Sequence, residues 1–178
     1  DVSGKGRPAS LCMAMSKSVA NALLRQHPDN LTLAVAALDA ALSRDNREML
    51  FVTSFIAVVN VDTGVMHYAC AGHDAPWLLR GQTVQRIQVD QIGGPPLCAC
   101  EGFPYGQGQL KLAPGDRLLL TTDGVTEASN GQAWFGNERL EKLLRESLPE
   151  DSPAALLEQI RHAVRNFEAG APPADDLT

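Results

Sequence analysis

Phe51-Val52-Thr53-Ser54-Phe55-Ile56-Ala57-Val58-Val59-Asn60-Val61-Asp62-Thr63-Gly64-Val65-Met66-His67-Tyr68-Ala69-Cys70-Ala71 is where the chain changes its hydrophobic period. Residues 51–61 are rich in β-branched side chains, Asp62-Thr63-Gly64 is a turn signal, and 65–71 alternate as a strand does. An antiparallel hairpin is predicted. Towards the C-terminus, Trp77–Arg80 and Thr83–Val89 flank a tight turn at Gly81 and are expected to continue the meander. The glycines and prolines between Ile92 and Gly108 mark a loop, after which Gln109–Leu112 and Asp116–Thr122 read as a strand pair around Ala113-Pro114-Gly115.

Helices bracket this centre. Pro8 to Gln26 reads as a helix with proline in its first turn and Leu11, Met15 and Ala22 near a 3.6-residue spacing, stopped by His27-Pro28-Asp29-Asn30. Asn30 then caps a second helix with Leu31, Val35, Leu38 and Leu42 on one face, ended by Ser43-Arg44-Asp45-Asn46. Two more close the chain, Asn137–Ser147 and Ser152–Phe167, the latter with Ser152 as cap and Pro153 behind it. Helices first, strands in the middle and helices last, without a βαβ rhythm, give an α+β fold with layered antiparallel sheets.

The 178 residues suit a single domain, residues 1–178. No apolar run approaches the ~18–20 residues that span a bilayer, and Ser16, Lys17, Ser18 and Asn21 interrupt any secretory-type stretch. A net charge of −6 with scattered Lys and Arg lacks the footprint of a nucleic-acid binder. Cys12, Cys70, Cys98 and Cys100 show no CxxC spacing, so they read as buried or inert thiols of a reducing cytoplasm rather than a zinc site or disulfide scaffold.

Carboxylates stand on sharply turning or extended backbone at three places: Asp1-Val2-Ser3-Gly4-Lys5-Gly6, Thr121-Thr122-Asp123-Gly124 and Asp175-Asp176. Hard divalent ions prefer such oxygen donors. A metal-bound water is a nucleophile near neutral pH, and paired metals clamp an in-line phosphoryl transfer. Taken singly, Asp123-Gly124 is a turn, the glycines after Asp1 a helix entry, and Asp175-Asp176 a solvated acidic loop. Their joint order carries the reading.

Six blocks in succession, Asp1-Val2-Ser3-Gly4-Lys5-Gly6-Arg7-Pro8-Ala9, Phe51-Val52-Thr53, Ala69-Cys70-Ala71-Gly72-His73-Asp74-Ala75-Pro76, Pro114-Gly115-Asp116, Thr122-Asp123-Gly124-Val125-Thr126-Glu127-Ala128 and Asp175-Asp176-Leu177-Thr178, cover nearly the whole chain. Together they resemble the PPM-type metal-dependent protein serine/threonine phosphatases, in the SpoIIE/RsbU-like branch of bacterial signal-transduction regulators. The resemblance implies a layered α-β-β-α sandwich of two mostly antiparallel sheets flanked by helices, here truncated at the N-terminal strand or strands and at the final strand. It implies that Asp1 is the bridging metal ligand, that Val2 offers a backbone carbonyl, and that Asp123 and Asp175 are further ligands with Asp176 beside them. Asp1, Asp123 and Asp175 would then act catalytically through metal-bound water, with two Mn²⁺ or Mg²⁺ ions.

The same resemblance implies dephosphorylation of phosphoserine or phosphothreonine on a STAS-type anti-anti-sigma protein, hence sigma-factor regulation. It also implies an upstream receiver or sensor domain, a switch role and homodimer contact for the first two helices, and no membrane insertion of this domain. Family members carry an earlier strand with another acidic ligand, and many distant relatives have histidine where this chain has Lys5. A catalytically inactive PPM-like module that binds a signalling partner is therefore the alternative. Hydrolysis of a small phosphoester or nucleotide lacks a glycine-rich cradle followed by Lys and Ser/Thr. His73 of Gly72-His73 either donates a hydrogen bond to a phosphate or acts as an acid, or is a structural turn histidine, and Lys5 and Arg7 either steer phosphate or are ordinary loop cations.

Overall fold

A computed structural model of the chain describes residues 1–28, 30–44, 46–147 and 152–170. The stop signals at Asp29 and Asp45, and the acidic pair Asp175-Asp176, lie outside the described residues. Along the chain run α1 (Arg7–Gln26), α2 (Leu31–Ser43), β1 (Ser54–Val59), β2 (Val65–Ala71), β3 (Trp77–Arg80), β4 (Thr83–Arg86), β5 (Gly108–Lys111), β6 (Arg117–Leu119), α3 (Asp123–Thr126), α4 (Gly136–Glu146) and α5 (Pro153–Glu168). The fold is a mixed α/β one with two antiparallel sheets and helices, as expected.

These elements group into two compact units, one formed by residues 1–75 and 88–113, the other by 76–87 and 114–178. In the first, β1 and β2 form the predicted hairpin, with Ser54 opposite Ala71 and Val59 opposite Met66. The Asn60 side chain fixes its turn by accepting from the amides of Asp62 and Thr63, both at 3.0 Å. β2 also pairs with β5, which gives the order β1-β2-β5.

Against this sheet α2 buries Leu31, Ala34, Val35 and Leu38, and its cap is as expected, Asn30 accepting from the Leu33 amide at 2.9 Å. The apolar face of α1 is not the one expected. Cys12, Val19, Ala20 and Leu23 pack on the core, whereas Leu11 and Met15 are 63% and 50% exposed and Ala22 is exposed too. Both sets satisfy a 3.6-residue period and differ by one position, about 100° of helix rotation. The smaller side chains of the second set suit close approach.

The second unit holds the order β4-β3-β6. Two expectations fail here: β3 and β4 do not extend the first meander, and the strands on either side of Ala113-Pro114-Gly115 do not pair. β5 joins β2 in one sheet while β6 joins β3 in the other. Choice of strand partner is non-local, and alternation in the sequence is silent on it. Leu140 and Leu144 of α4 and Leu156, Ile160 and Val164 of α5, spaced by four, cluster with Trp77, Leu79, Val84 and Leu119 of the sheet. Ser152 caps α5 by accepting from the Ala155 amide at 3.1 Å. Arg80 forks onto Asp116 with contacts of 3.0, 3.1 and 2.6 Å, tying β3 to the turn before β6.

Candidate functional site

In the first unit, residues 1–3 lie antiparallel to 51–53. The Thr53 amide donates to the Asp1 carbonyl at 2.8 Å, the Asp1 nitrogen to the Thr53 carbonyl at 2.9 Å, and the Ser3 amide to the Phe51 carbonyl at 2.9 Å. Val2 is the intervening, non-bonded partner of Val52, so this ladder does not consume its carbonyl, which stands on the outer edge. Val52 is occupied on its other side, exchanging bonds with Leu97 at 3.0 and 2.8 Å. The Asp1 carboxylate is exposed, and its Oδ1 accepts from the Val2 amide at 2.9 Å.

Beside this ladder lies a cavity of about 280 Å³. Asp1, Val2, Lys17, Thr53 and His73 are among the residues that line it, with Leu38, Val52, Phe55 and Ile56 contributing apolar wall. The Thr53 hydroxyl lies 3.0 Å from His73 Nδ1. The Cys70 thiol donates to the His73 carbonyl at 3.1 Å. Burial pushes that thiol above its ordinary value, outweighing the hydrogen bond, and Asp74 adds to the rise. Cys98 is likewise raised by burial, so neither is a thiolate near neutrality. Of the four free thiols, Cys70 is buried, Cys12 and Cys98 are partly buried and Cys100 is exposed.

In the second unit Asp123 is exposed and opens the single turn α3, where a plain turn is the reading of Asp-Gly alone. Its carbonyl accepts from the Glu127 amide at 2.7 Å, and Val125 and Ala128 sink into the core beneath it. The sequence therefore anchors the carboxylate by burying its neighbours. Lys5 and Arg7 are exposed.

Asp1 and Val2 thus share one site in the first unit, Asp123 belongs to the second, and Asp175 and Asp176 lie outside the described residues. In the first unit, the Asp1 carboxylate and the Val2 carbonyl are oxygen donors of the kind a hard divalent cation prefers. Among the described residues, no group of three His, Cys, Asp or Glu side chains forms that could hold a metal ion. Sequence reasoning missed the Thr53–His73 pair; its signal was the hairpin register, which carries residue 53 to the level of residue 72. No helix among the described residues is long and apolar enough to cross a membrane.

A family model described as Stage II sporulation protein E (SpoIIE) matches residues 1–178. The chain is 31% identical over 150 residues to Phosphoserine phosphatase RsbU of Bacillus subtilis (strain 168), covering 83% of this chain and 44% of that protein. It therefore spans less than half of that relative's length. The SiaA-PP2C domain of Pseudomonas aeruginosa superposes with a TM-score of 0.80 at 18% identity, over 99% of this chain and 70% of that one. The phosphatase domain of the cell fate determinant SpoIIE from Bacillus subtilis, presoaked with Mn, gives 0.64 at 15% identity, over 92% and 70%. At such identities the structural likeness speaks for the fold alone.

Proposed function

The chain belongs to the SpoIIE family, and from that premise we propose that residues 1–178 form one metal-dependent protein serine/threonine phosphatase domain of a longer regulatory protein. The observation that carries this reading is the edge formed by the Asp1 carboxylate and the Val2 carbonyl, hard oxygen donors on the wall of a cavity. Asp1, Val2 and Asp123 would hold Mn²⁺ or Mg²⁺, joined by Asp175 with Asp176 as its neighbour. Bound there, two such ions supply an activated water near neutral pH and offset charge on the phosphoryl oxygens.

The chain's own contribution is placement. The Asp1–Thr53 ladder holds the first carboxylate at the cavity mouth, and the buried residues around α3 hold Asp123. Leu38, Val52 and Ile56 supply an apolar part of the same lining. We take the substrate to be phosphoserine or phosphothreonine on a small cytoplasmic regulator of the anti-anti-sigma type, with an upstream receiver or sensor domain and a homodimer as the expected setting. RsbU's name, a phosphoserine phosphatase, supports that choice.

Phosphate release from a phosphoserine protein by the full-length enzyme with Mn²⁺ tests the reading. Asp123→Ala is expected to lose about 100-fold or more, since even outer-shell partners of a metal contribute 10–100-fold. Activity that survives both chelation and this substitution would refute it. A protein that binds neither Mn²⁺ nor releases phosphate, yet holds the phosphoprotein, is the inactive module instead.

A further inference from the structure

The second unit holds both tryptophans, Trp77 buried in its core and Trp134 65% exposed. A single exposed apolar side chain is ordinary on a surface, and Leu157 of α5, 51% exposed, is of that kind. Trp134 differs in the backbone that carries it. Ser129 bridges Trp134, the Asn130 amide donates to the Ala133 carbonyl at 3.2 Å, and the Asn130 side chain accepts from the amides of Gln132 and Ala133 at 3.0 and 2.9 Å. Arg139 donates to the carbonyls of Trp134 and Phe135, both at 2.9 Å, and Phe135 is buried edge-on against Phe167. These bonds use the backbone of residue 134, so the loop itself does not require an indole there. A cavity of about 280 Å³ lies beside the ring, lined by Ser129, Gly131, Gln132, Ala133 and Trp134. A large aromatic on a loop already ordered loses little entropy on binding, which is the character of an interface hot spot.

The loop is continuous with the turn that carries Asp123. The Glu127 amide donates to the Asp123 carbonyl at 2.7 Å, and the Phe135 amide to the Ala128 carbonyl at 2.8 Å, so Trp134 is held at the level of Ser129. One helical turn and three further residues separate Asp123 from Ser129, at most about 16 Å of chain. A standard protein–protein patch of ~800 Å² per side is roughly 30 Å across. A phosphoserine that reached a cation at Asp123 would therefore bring the protein around it within range of the indole, whereas a small phosphoester would bring nothing to it. We infer that Trp134 is a specificity-determining residue, which packs against an apolar side chain of the protein substrate near its phosphoserine and so favours phosphoproteins over small phosphoesters. The inference rests on the phosphatase reading and names the surface by which that site selects a protein.

The test compares two substrates on the full-length protein with Mn²⁺, a tryptophan-free serine-phosphorylated STAS-type protein and p-nitrophenyl phosphate. Trp134→Ala should lower kcat/KM on the phosphoprotein about 30-fold, the loss of one hot-spot side chain, and the ratio of the two substrates' kcat/KM should fall with it. Trp134→Phe should recover most of that loss, and Leu157→Ala should leave both substrates within twofold of the parent. In the parent, saturating phosphoprotein should protect the exposed indole from acrylamide quenching. A ratio that stays put in Trp134→Ala, or an indole as quenchable with the phosphoprotein as without it, would overturn the assignment. A parent that accepts only p-nitrophenyl phosphate overturns it too, while the phosphatase reading stands. A parent that hydrolyses neither substrate sinks the phosphatase reading; protection of the indole by the phosphoprotein would then leave the docking surface standing by itself.

Discussion

Gly72→Ala should destabilise the first unit by about 1–4.5 kcal/mol, and Gly102→Ala by only about 0–1.5. Both glycines have left-handed backbones, with φ of +68° and +70°, and both belong to the first unit. An L side chain in that region costs ~1–2 kcal/mol at either position. Reduced freedom of the unfolded chain returns ~0.4–1 kcal/mol to each and cancels in the comparison. The difference lies in space. A Cβ on residue 102 meets nothing within 4 Å, whereas on residue 72 it lies 2.6 Å from Pro96 N, Cγ and Cδ. The obstacle includes backbone and a rigid ring, so relief requires the chain to move, at ~1–3 kcal/mol for overpacking. Urea unfolding followed by circular dichroism reads the result. At a slope of ~2 kcal/mol/M, the two midpoints should separate by ~0.5–1.5 M with m unchanged. Coincident midpoints would show that the Gly72–Pro96 approach does not constrain the turn after β2, and the overpacking argument would be refuted.

Asp39, 2% exposed, accepts from the Cys98 amide at 2.7 Å, so Asp39→Ala should cost ~1–3 kcal/mol in urea melts and Asp39→Asn distinctly less. Leu140→Ala removes a fully buried side chain from the core of the second unit and should cost ~2–5 kcal/mol by the same measurement. Burial, with Asp39 second, pushes the Tyr105 phenol up to about 12 from 10.0. Because the unfolded chain ionises first, its stability contribution is intact below pH 10 and is lost as pH rises through about 12. Absorbance at 295 nm and denaturation across that window should show both, and a Tyr105 that titrates at its ordinary value would refute the burial argument.

Local signals in the sequence were sufficient where the deciding interaction is local. Asn30 and Ser152 cap the helices they precede, and Asp62-Thr63-Gly64 marks the turn between β1 and β2. They were insufficient where partner choice is long-range. The tight turn at Gly81 does place Thr83–Arg86 beside β3, but nothing in Arg117–Leu119 states that it belongs beside β3 rather than beside β5. The rotation of α1 was ambiguous for a different reason, since Leu11 and Met15 are at least as apolar as Cys12, Val19, Ala20 and Leu23, which pack partly buried against the core. For the candidate site, the carboxylates were legible through the order of the blocks, but that order does not tell which polar groups stand beside Asp1.

That neighbourhood follows from the hairpin. With Ser54 opposite Ala71, each step towards the open end brings residue 53 to residue 72, so the Phe51-Val52-Thr53 and Gly72-His73 blocks meet although twenty residues separate Thr53 from His73. A slip of one residue would turn every side chain of the strand to the opposite face. The register is held by the Asn60 turn at one end, and at the other Ser54 also bridges Gly72. The interactions that specify the fold of the first unit therefore also set the Asp1 carboxylate, the Thr53 hydroxyl and the His73 ring on one cavity wall.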